Sequence, residues 1–411
     1  MSVKNEPWKT DNWFVSPWNY LPEVTKGFQP PAKVKIHDIT LRDGEQQAGV
    51  TFTKDDKIRI AEKLAEVGVH RIEAGMPAVS PADEAAIKEI VKRNLGPEIF
   101  CFSRCMVDDV KRAADCGVKG IVMEVPASEH LIEYAYKWPL EKAIDLSVKA
   151  TLAAKEAGLY VVFFTIDATR ADMDWFLNLI EKVAREGHMD ALTLVDTFGV
   201  LSPQGASYFT KRVKERVHKP LEIHFHADFG LAVANTIMAV LAGAEVIHST
   251  VTGIGERAGN TSMEEVALAL LTLYGIDVGL KYDKLNELSK LVRELSGTEI
   301  PANRPLIGDM AYDIESGILT SWYKNTFGDY PTEVFPVHPE FVGHRAPKIL
   351  LGKKSGLDNV TMWADKLGIK LDEDETREIL KQVKAKAIDI KRALNEGEFR
   401  AIAEGVKSSK K

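Results

Sequence analysis

The sequence predicts an α/β protein: a (β/α)8 TIM barrel, preceded by an extended N-terminal arm and followed by a mainly helical C-terminal region. Three observations predict it. Eight short apolar runs recur between residues 33 and 280. Helical segments alternate with them, several opening on a capping residue. Eight strand–helix units over about 240 residues are what a closed barrel requires. A doubly wound open sheet is the main rival. It uses fewer strands, and no G-x-G-x-x-G follows the first run.

The arm takes residues 1–32. Pro7, Pro17, Pro22, Pro30 and Pro31 deny it a helix, while the indoles of Trp8, Trp13 and Trp18 call for burial against the main domain or a neighbouring subunit. The barrel, residues 33–280, places strands at Val34–Ile39, His70–Ala74, Ile99–Ser103, Gly120–Val125, Tyr160–Ile166, Ala191–Val195, Leu221–Phe225 and Glu245–Val251. Between them Asp55–Val67, Pro81–Arg93, Ala143–Ala157, Met173–Arg185, Pro203–Val217 and Asn235–Ala242 read as helices. Thr53 precedes the first. Ser80-Pro81 and Ser202-Pro203 each set a capping hydroxyl before a proline at the first helical position. Residues 281–345 form a linker or lid: Lys284–Leu295 reads as a helix, and Pro301 to about Gly343 is irregular and rich in Pro, Gly and aromatics. Residues 346–411 are helical. Asp372–Asn395 is amphipathic, with Ile379, Leu380, Val383, Ala387, Ile388 and Leu394 near one face, and Lys407–Lys411 reads as a solvated tail.

Composition removes several classes of function. The 411 residues are 45% hydrophobic and 27% charged, as in ordinary globular proteins. A formal net charge of −7 lacks the basic footprint of a nucleic-acid binder. No apolar run approaches the ~18 residues of a membrane span. No apolar signal segment follows Met1, so a cytoplasmic protein is expected. Cys101, Cys105 and Cys116 are too few and oddly numbered for a disulfide framework and read as reduced thiols.

Polar residues cluster at the strand C-termini, where barrel enzymes act. The first strand leads into Arg42-Asp43-Gly44, a carboxylate for a metal beside a guanidinium for a substrate oxygen. Residues i and i+2 of a strand share a face, so His224 and His226 point the same way. Two imidazoles at that spacing, with Asp43, suit a divalent metal whose remaining positions stay open to substrate. After the eighth strand, Thr252-Gly-Ile-Gly-Glu-Arg-Ala-Gly-Asn260 offers glycines for close approach and an amide oxygen for a hard cation. Glu73, Arg104, Glu124, Asp167, Arg170, Asp196 and Thr197 stand at other strand ends, with Arg104 and Arg170 the better candidates for binding an anionic substrate.

These motifs carry a resemblance. His37-Asp-Ile-Thr-Leu-Arg-Asp-Gly-Glu-Gln46, His224-Phe-His226 and Gly255-Glu-Arg-Ala-Gly-Asn260 resemble the signatures of the DRE-TIM metallolyases. That family includes isopropylmalate, citramalate and homocitrate synthases and hydroxymethylglutaryl-CoA lyases. The likeness spans residues 33–275 and continues through Glu315-Ser-Gly-Ile318 and Leu351-Gly-Lys-Lys-Ser-Gly356, closest to the short homocitrate synthases. The resemblance implies Asp43, His224 and His226 as metal ligands with Asn260 near or on the metal. It implies Arg42 as stabiliser of the oxygen that becomes negative, and Gln46 and Thr197 as contacts of a 2-oxo acid. The expected activity is divalent-metal-dependent Claisen-type condensation of acetyl-CoA with that acid. The metal is Mg, Mn, Zn or Fe, and the assembly a homodimer or higher homo-oligomer.

Two departures touch the proton transfers. The synthases carry a histidine after Glu-Ser-Gly-Ile; here it is Leu319. They often show a glutamate where Ile166 stands. His338, His344, Tyr312, Tyr323 and Tyr330 are the nearby replacements, and His338 joins Arg42 and Glu73 as the expected catalytic set. These changes keep a second reading open, a metal-dependent carbon–carbon lyase. A third is a catalytically silent barrel that binds metal and a small acid. The loop Gly253–Asn260 lacks the cysteine of the hydroxymethylglutaryl-CoA lyases, and the long region after the barrel favours a synthase. The chain is too short for the C-terminal regulatory domain of isopropylmalate synthases.

Overall fold

The computed structural model describes residues 6–409. Its contacts group into two units. One is Trp18–Ile300; the other joins the residues up to Pro17 with those from Pro301 onward.

The first unit is a closed barrel of eight parallel strands in the order β1 to β8. After the one-turn helix α1 (Pro22–Thr25) come β1 (Lys35–Asp38), α2 (Lys54–Val67), β2 (Arg71–Glu73), α3 (Pro81–Arg93), β3 (Glu98–Arg104), α4 (Val107–Asp115), β4 (Gly120–Pro126) and α5 (Leu140–Glu156). Then follow β5 (Tyr160–Ile166), α6 (Met173–Glu186), β6 (Ala191–Asp196), α7 (Pro203–Arg216), β7 (Leu221–Phe225), α8 (Ala232–Leu241), β8 (Val246–Ser249), α9 (Met263–Tyr274) and α10 (Leu285–Ser296). Strands covered on both faces read as unbroken apolar runs, which is why they were visible in sequence. Capping behaves as expected. Thr53 and Asp56 form a reciprocal capping box, and the Ser80 and Ser202 hydroxyls accept from Asp83 N and Gly205 N.

Two helices of the ring were not visible in sequence. Helix α4 is amphipathic but only nine residues long, burying Asp109, Val110 and Ala113, and in α9 apolar side chains are buried nearly all round, so neither stands out as a helix of ordinary length with one apolar stripe. The arm is not free of helix: Pro22 opens α1, because a proline at the first helical position sacrifices no bond. Trp18 stays 72% exposed, whereas the neighbouring Tyr20 donates to Thr272 O at 2.6 Å. The cysteines are free and buried, and burial pushes the Cys105 thiol up to about 12.

In the second unit, the Trp13 ring lies 5.8 Å from that of Phe341, and Phe14 N donates to Pro336 O at 2.9 Å. The stretch expected to be irregular contains β9 (Asp313–Ile314) and α11 (Gly317–Thr326); β9 pairs with β10 (Lys348–Ile349). Helices α12 (Leu357–Leu367), α13 (Glu373–Ile390) and α14 (Glu396–Ser409) bury Val360, Ile379, Val383 and Phe399 in one core. The expected helix to Asn395 ends at Ile390, where Lys391 turns left-handed at φ 56. Lys407 is no loose tail but part of the last turn of α14. Residues 410 and 411 lie outside the described residues. No helix described is long and apolar enough to cross a membrane.

Candidate active site and metal centre

The turn after β1 is pinned from below. Thr40 N and Oγ1 both donate to the Asp38 carboxylate at 3.0 Å, and Val251 N donates to Thr40 Oγ1 at 2.9 Å. The N–H groups of Arg42, Asp43 and Gly44 then converge on Ile39 O. This tight turn lifts the Asp43 carboxylate towards β7. Its Oδ2 lies 3.0 Å from His224 Nε2 and 3.9 Å from His226 Nε2, and the two imidazole nitrogens are 3.2 Å apart. All three side chains are buried, and Asp43 Oδ1 has no hydrogen-bond partner.

The charge state suits a cation. Burial drives the His224 imidazole down to about 3, despite the opposing pull of Asp43, and lowers His226 as well. Burial would raise the Asp43 carboxyl, but the Arg42 guanidinium and then His224 outweigh it and hold it below the usual carboxylate range. One ionised carboxylate and two neutral imidazoles converging within 4.8 Å form a donor set for a divalent metal. The orphaned Asp43 Oδ1 is an observation of the same kind: the residues fit the ion.

Asn260 is brought to this cluster by the loop after β8. It pairs with His226 through the backbone, and its amide nitrogen donates to Ile254 O at 3.3 Å, leaving a buried Oδ1 with no partner. Gly259 has φ 85, and a Cβ there would strike the Gly253 carbonyl oxygen. A Cβ on Gly255 would strike the Asn260 amide. Glu264 holds the loop from beneath, accepting from Thr252 N at 3.0 Å where the backbone is left-handed at φ 60.

Arg42 stands beside the ligands. Its Nε donates to Glu73, its Nη1 lies 3.2 Å from Asp43 Oδ2 and donates to Gln46 Oε1 at 3.3 Å, and its face lies 4.0 Å over the Phe102 ring. Nη2 is buried and unpaired. Burial alone would raise the Glu73 carboxyl, but Arg42 and then His37 bring it down to about 2.

The remaining sequence candidates lie elsewhere around the barrel or in the other unit. Thr197 Oγ1 accepts from Asp167 N at 2.8 Å. Arg170 is held by Asp167 through bonds of 2.6 and 3.0 Å, and Arg104 by Asp109 through bonds of 2.8 and 2.9 Å. Neither joins the cluster. His338 caps a short 3-10 helix of the second unit, stacked 5.9 Å from Phe327. Leu319 lies on α11. Sequence reasoning missed a second buried cluster inside the barrel. His248 Nε2 lies 2.8 Å from Glu222, Glu222 accepts from Arg71 at 2.7 Å, and the His37 ring stacks 4.4 Å from that of His248. The alternation that faced His224 and His226 inward would have placed Glu222 on the same face.

Known proteins match most of the chain. The family described as HMGL-like matches residues 33–292. The chain is 40% identical to the (R)-citramalate synthase CimA of Methanocaldococcus jannaschii over 353 residues, 85% of this chain and 70% of that one. It is 38% identical to the homocitrate synthase AksA of Methanopyrus kandleri over 366 residues, 89% of this chain and 91% of that one. The crystal structure of Bacillus subtilis HMG-CoA lyase superposes with a TM-score of 0.60 at 23% identity, covering 66% of this chain and 96% of the lyase.

Proposed function

The chain belongs to the HMGL-like family, and from that premise we propose that it condenses acetyl-CoA, or a similar acyl-CoA, with a 2-oxo acid in a divalent-metal-dependent Claisen-type reaction. The observation that carries this reading is the convergence of Asp43, His224 and His226 beside the unpaired Nη2 of Arg42.

Asp43, His224 and His226 would hold the ion, with Asn260 Oδ1 in reach. Bound there, a divalent cation makes the keto carbon of the acid electrophilic. Arg42 Nη2 donates to the oxygen that gains charge as the new carbon–carbon bond forms. Glu73 acts through Arg42 and is a positioning residue: it fixes the guanidinium plane from the protein side. Gln46 already accepts from Arg42, so its amide N–H groups remain for the substrate carboxylate. Thr197, accepting from Asp167 N, keeps its hydroxyl proton for the same purpose. A base removes a methyl proton from the acyl-CoA, the resulting carbanion attacks the ketone, and water hydrolyses the thioester to free CoA. Leu319 cannot perform the proton transfer; His338 is the imidazole we assign to it.

We also propose a homo-oligomer. On α11, Ile318 (67% exposed) and Trp322 (55% exposed) lie one turn apart on the surface of this chain, an apolar pair that a second copy would cover.

Thiol release tests the reaction. Protein, acetyl-CoA and Mn or Mg are mixed with a panel of 2-oxo acids. CoA should appear only with metal and a matching acid. His224→Ala should lose both bound metal, by elemental analysis, and turnover. A variant that keeps metal and full activity would refute the site. Cleavage of a hydroxy acid, with no CoA release from any pair, would replace condensation by the lyase reaction.

A further inference from the structure

The segment Leu351-Gly-Lys-Lys-Ser-Gly356 resembles the synthases in sequence, yet the reaction above gives it no part. It lies in the second unit, between β10 and α12. There it borders a cavity of about 330 Å³, shared with the end of α13 and the residues just after it. That volume falls at the lower end of the range of small-molecule sites.

Four cations line the cavity. Lys353 and Lys354 come from the loop, Lys391 and Arg392 from the turn after α13. The chain as a whole carries a net charge of −7, so composition does not account for this gathering. Like charges held together repel unless a counter-charge joins them. The protein supplies little of it. No hydrogen bond or ion pair joins the ammonium groups of Lys353, Lys354 and Lys391 among the described residues. Elsewhere in the same unit, Lys324 is paired with Asp358 and Arg400 with Glu396. The carboxylate on the cavity is that of Glu315, and its Oε1 is spent on Lys354 N at 3.1 Å.

The cations are held in place from the protein side. Glu315 anchors the loop by that bond, and a Cβ on Gly352 would strike its carboxylate. Arg392 is fixed by Glu398 through bonds of 2.9 and 2.7 Å, which leaves the lysines as the uncompensated charge. Lys391 stands at φ 56, a left-handed conformation that strains a lysine. Helix C-termini favour cations, which accounts for Lys391 and Arg392 beside α13. It does not account for two more lysines brought by a separate loop. Ile388, 57% exposed, lays an apolar ledge beside them.

Phosphate oxygens satisfy ammonium groups of this kind, and the ledge suits the organic part of the same ligand. We propose that this cavity binds a polyphosphate ester, the chemistry shared by a free nucleotide and by the nucleotide end of CoA.

Calorimetry on the full chain in phosphate-free buffer tests this, with ATP, CoA and dephospho-CoA as probes. ATP or CoA should bind. Lys353→Glu and Lys391→Glu each reverse one exposed charge, on two separate elements, and each should weaken that binding by about 10-fold or more. Where a reversal fails to fold, as read by its melting temperature, the corresponding Lys→Gln takes its place. Lys366→Glu makes the same charge change on α12, outside the cavity, and should leave binding unchanged. Weakened ATP binding assigns the cavity to free nucleotides. Weakening confined to the CoA probes assigns it to the nucleotide end of CoA, and dephospho-CoA shows which phosphates are held. No binding of ATP or CoA, binding that survives either reversal, or an equal loss in Lys366→Glu overturns the inference and leaves the condensation reading standing.

Discussion

Glu222 illustrates how single buried groups set this protein's response to acid. Burial would raise its carboxyl, but the hydrogen bond to His248 and then the charge of Arg71 hold it at about 2 against an ordinary 4.5. A carboxyl depressed in the folded state adds stability above its unfolded pKa and loses it as pH falls through the folded one. The window is pH 4.5 to about 2, and the loss about 3 kcal/mol. His37 works at a higher pH. Burial lowers it to about 4 from 6.5, so the unfolded chain takes up the proton first and stability falls as pH drops from 6.5 towards 4. Melting temperatures should therefore decline in both windows, and Glu222→Gln should flatten the lower one. Equal melting temperatures at pH 7 and pH 3 would contradict this. Little of this network was legible in sequence. His224 and His226 stand out as a pair, whereas Glu222 and His248 become partners only when β7 and β8 lie side by side.

At the scale of elements, the loop between β8 and α9 brings Asn260 to the candidate metal cluster. Its glycines allow an approach that any side chain would block, and that approach aims Asn260. Gly259→Ala combines a collision with the Gly253 carbonyl and a left-handed backbone at φ 85. Metal affinity should fall by roughly 10-fold or more, as for loss of a group supporting a metal site, read by titration with Mn. Unchanged affinity would mean that Asn260 is placed by something else. The loop was legible as glycine-rich, with close approach and the Asn260 amide as its purpose; which atoms a side chain would strike was not, because they are supplied by the folded loop itself. Helix starts were legible, since Thr53, Ser80 and Ser202 act on their own first turns. The end of α13 was not: Lys391 shows no sequence sign of its left-handed turn.

At the scale of the whole molecule, the exposed pair on α11 bears on assembly. Ile318→Asp with Trp322→Ser should lower the molar mass seen by light scattering from that of an oligomer to that of one chain. A wild-type protein that is already a single chain at micromolar concentration would remove the proposal. Helix α11 lies inside the stretch that reads as irregular, because its prolines and glycines flank ten helical residues of which only Thr320 is buried. A helix exposing most of its surface lacks the apolar stripe by which helices are recognised.

The sequence by itself determined the barrel, the order of its strands and the candidate metal set of Asp43, His224 and His226. These depend on local period and on residue types that cannot be exchanged: strands covered on both faces must be apolar, and a cation needs carboxylate and imidazole. Only the tertiary structure decided how the arginines are spent. Arg104 and Arg170 read in sequence as anion binders, yet each is held by an aspartate three or five residues away along the chain. It also decided what stands opposite the metal ligands. Phe102 and Phe164 are ordinary strand residues in sequence, and closure of the sheet buries them against Arg42 and His224.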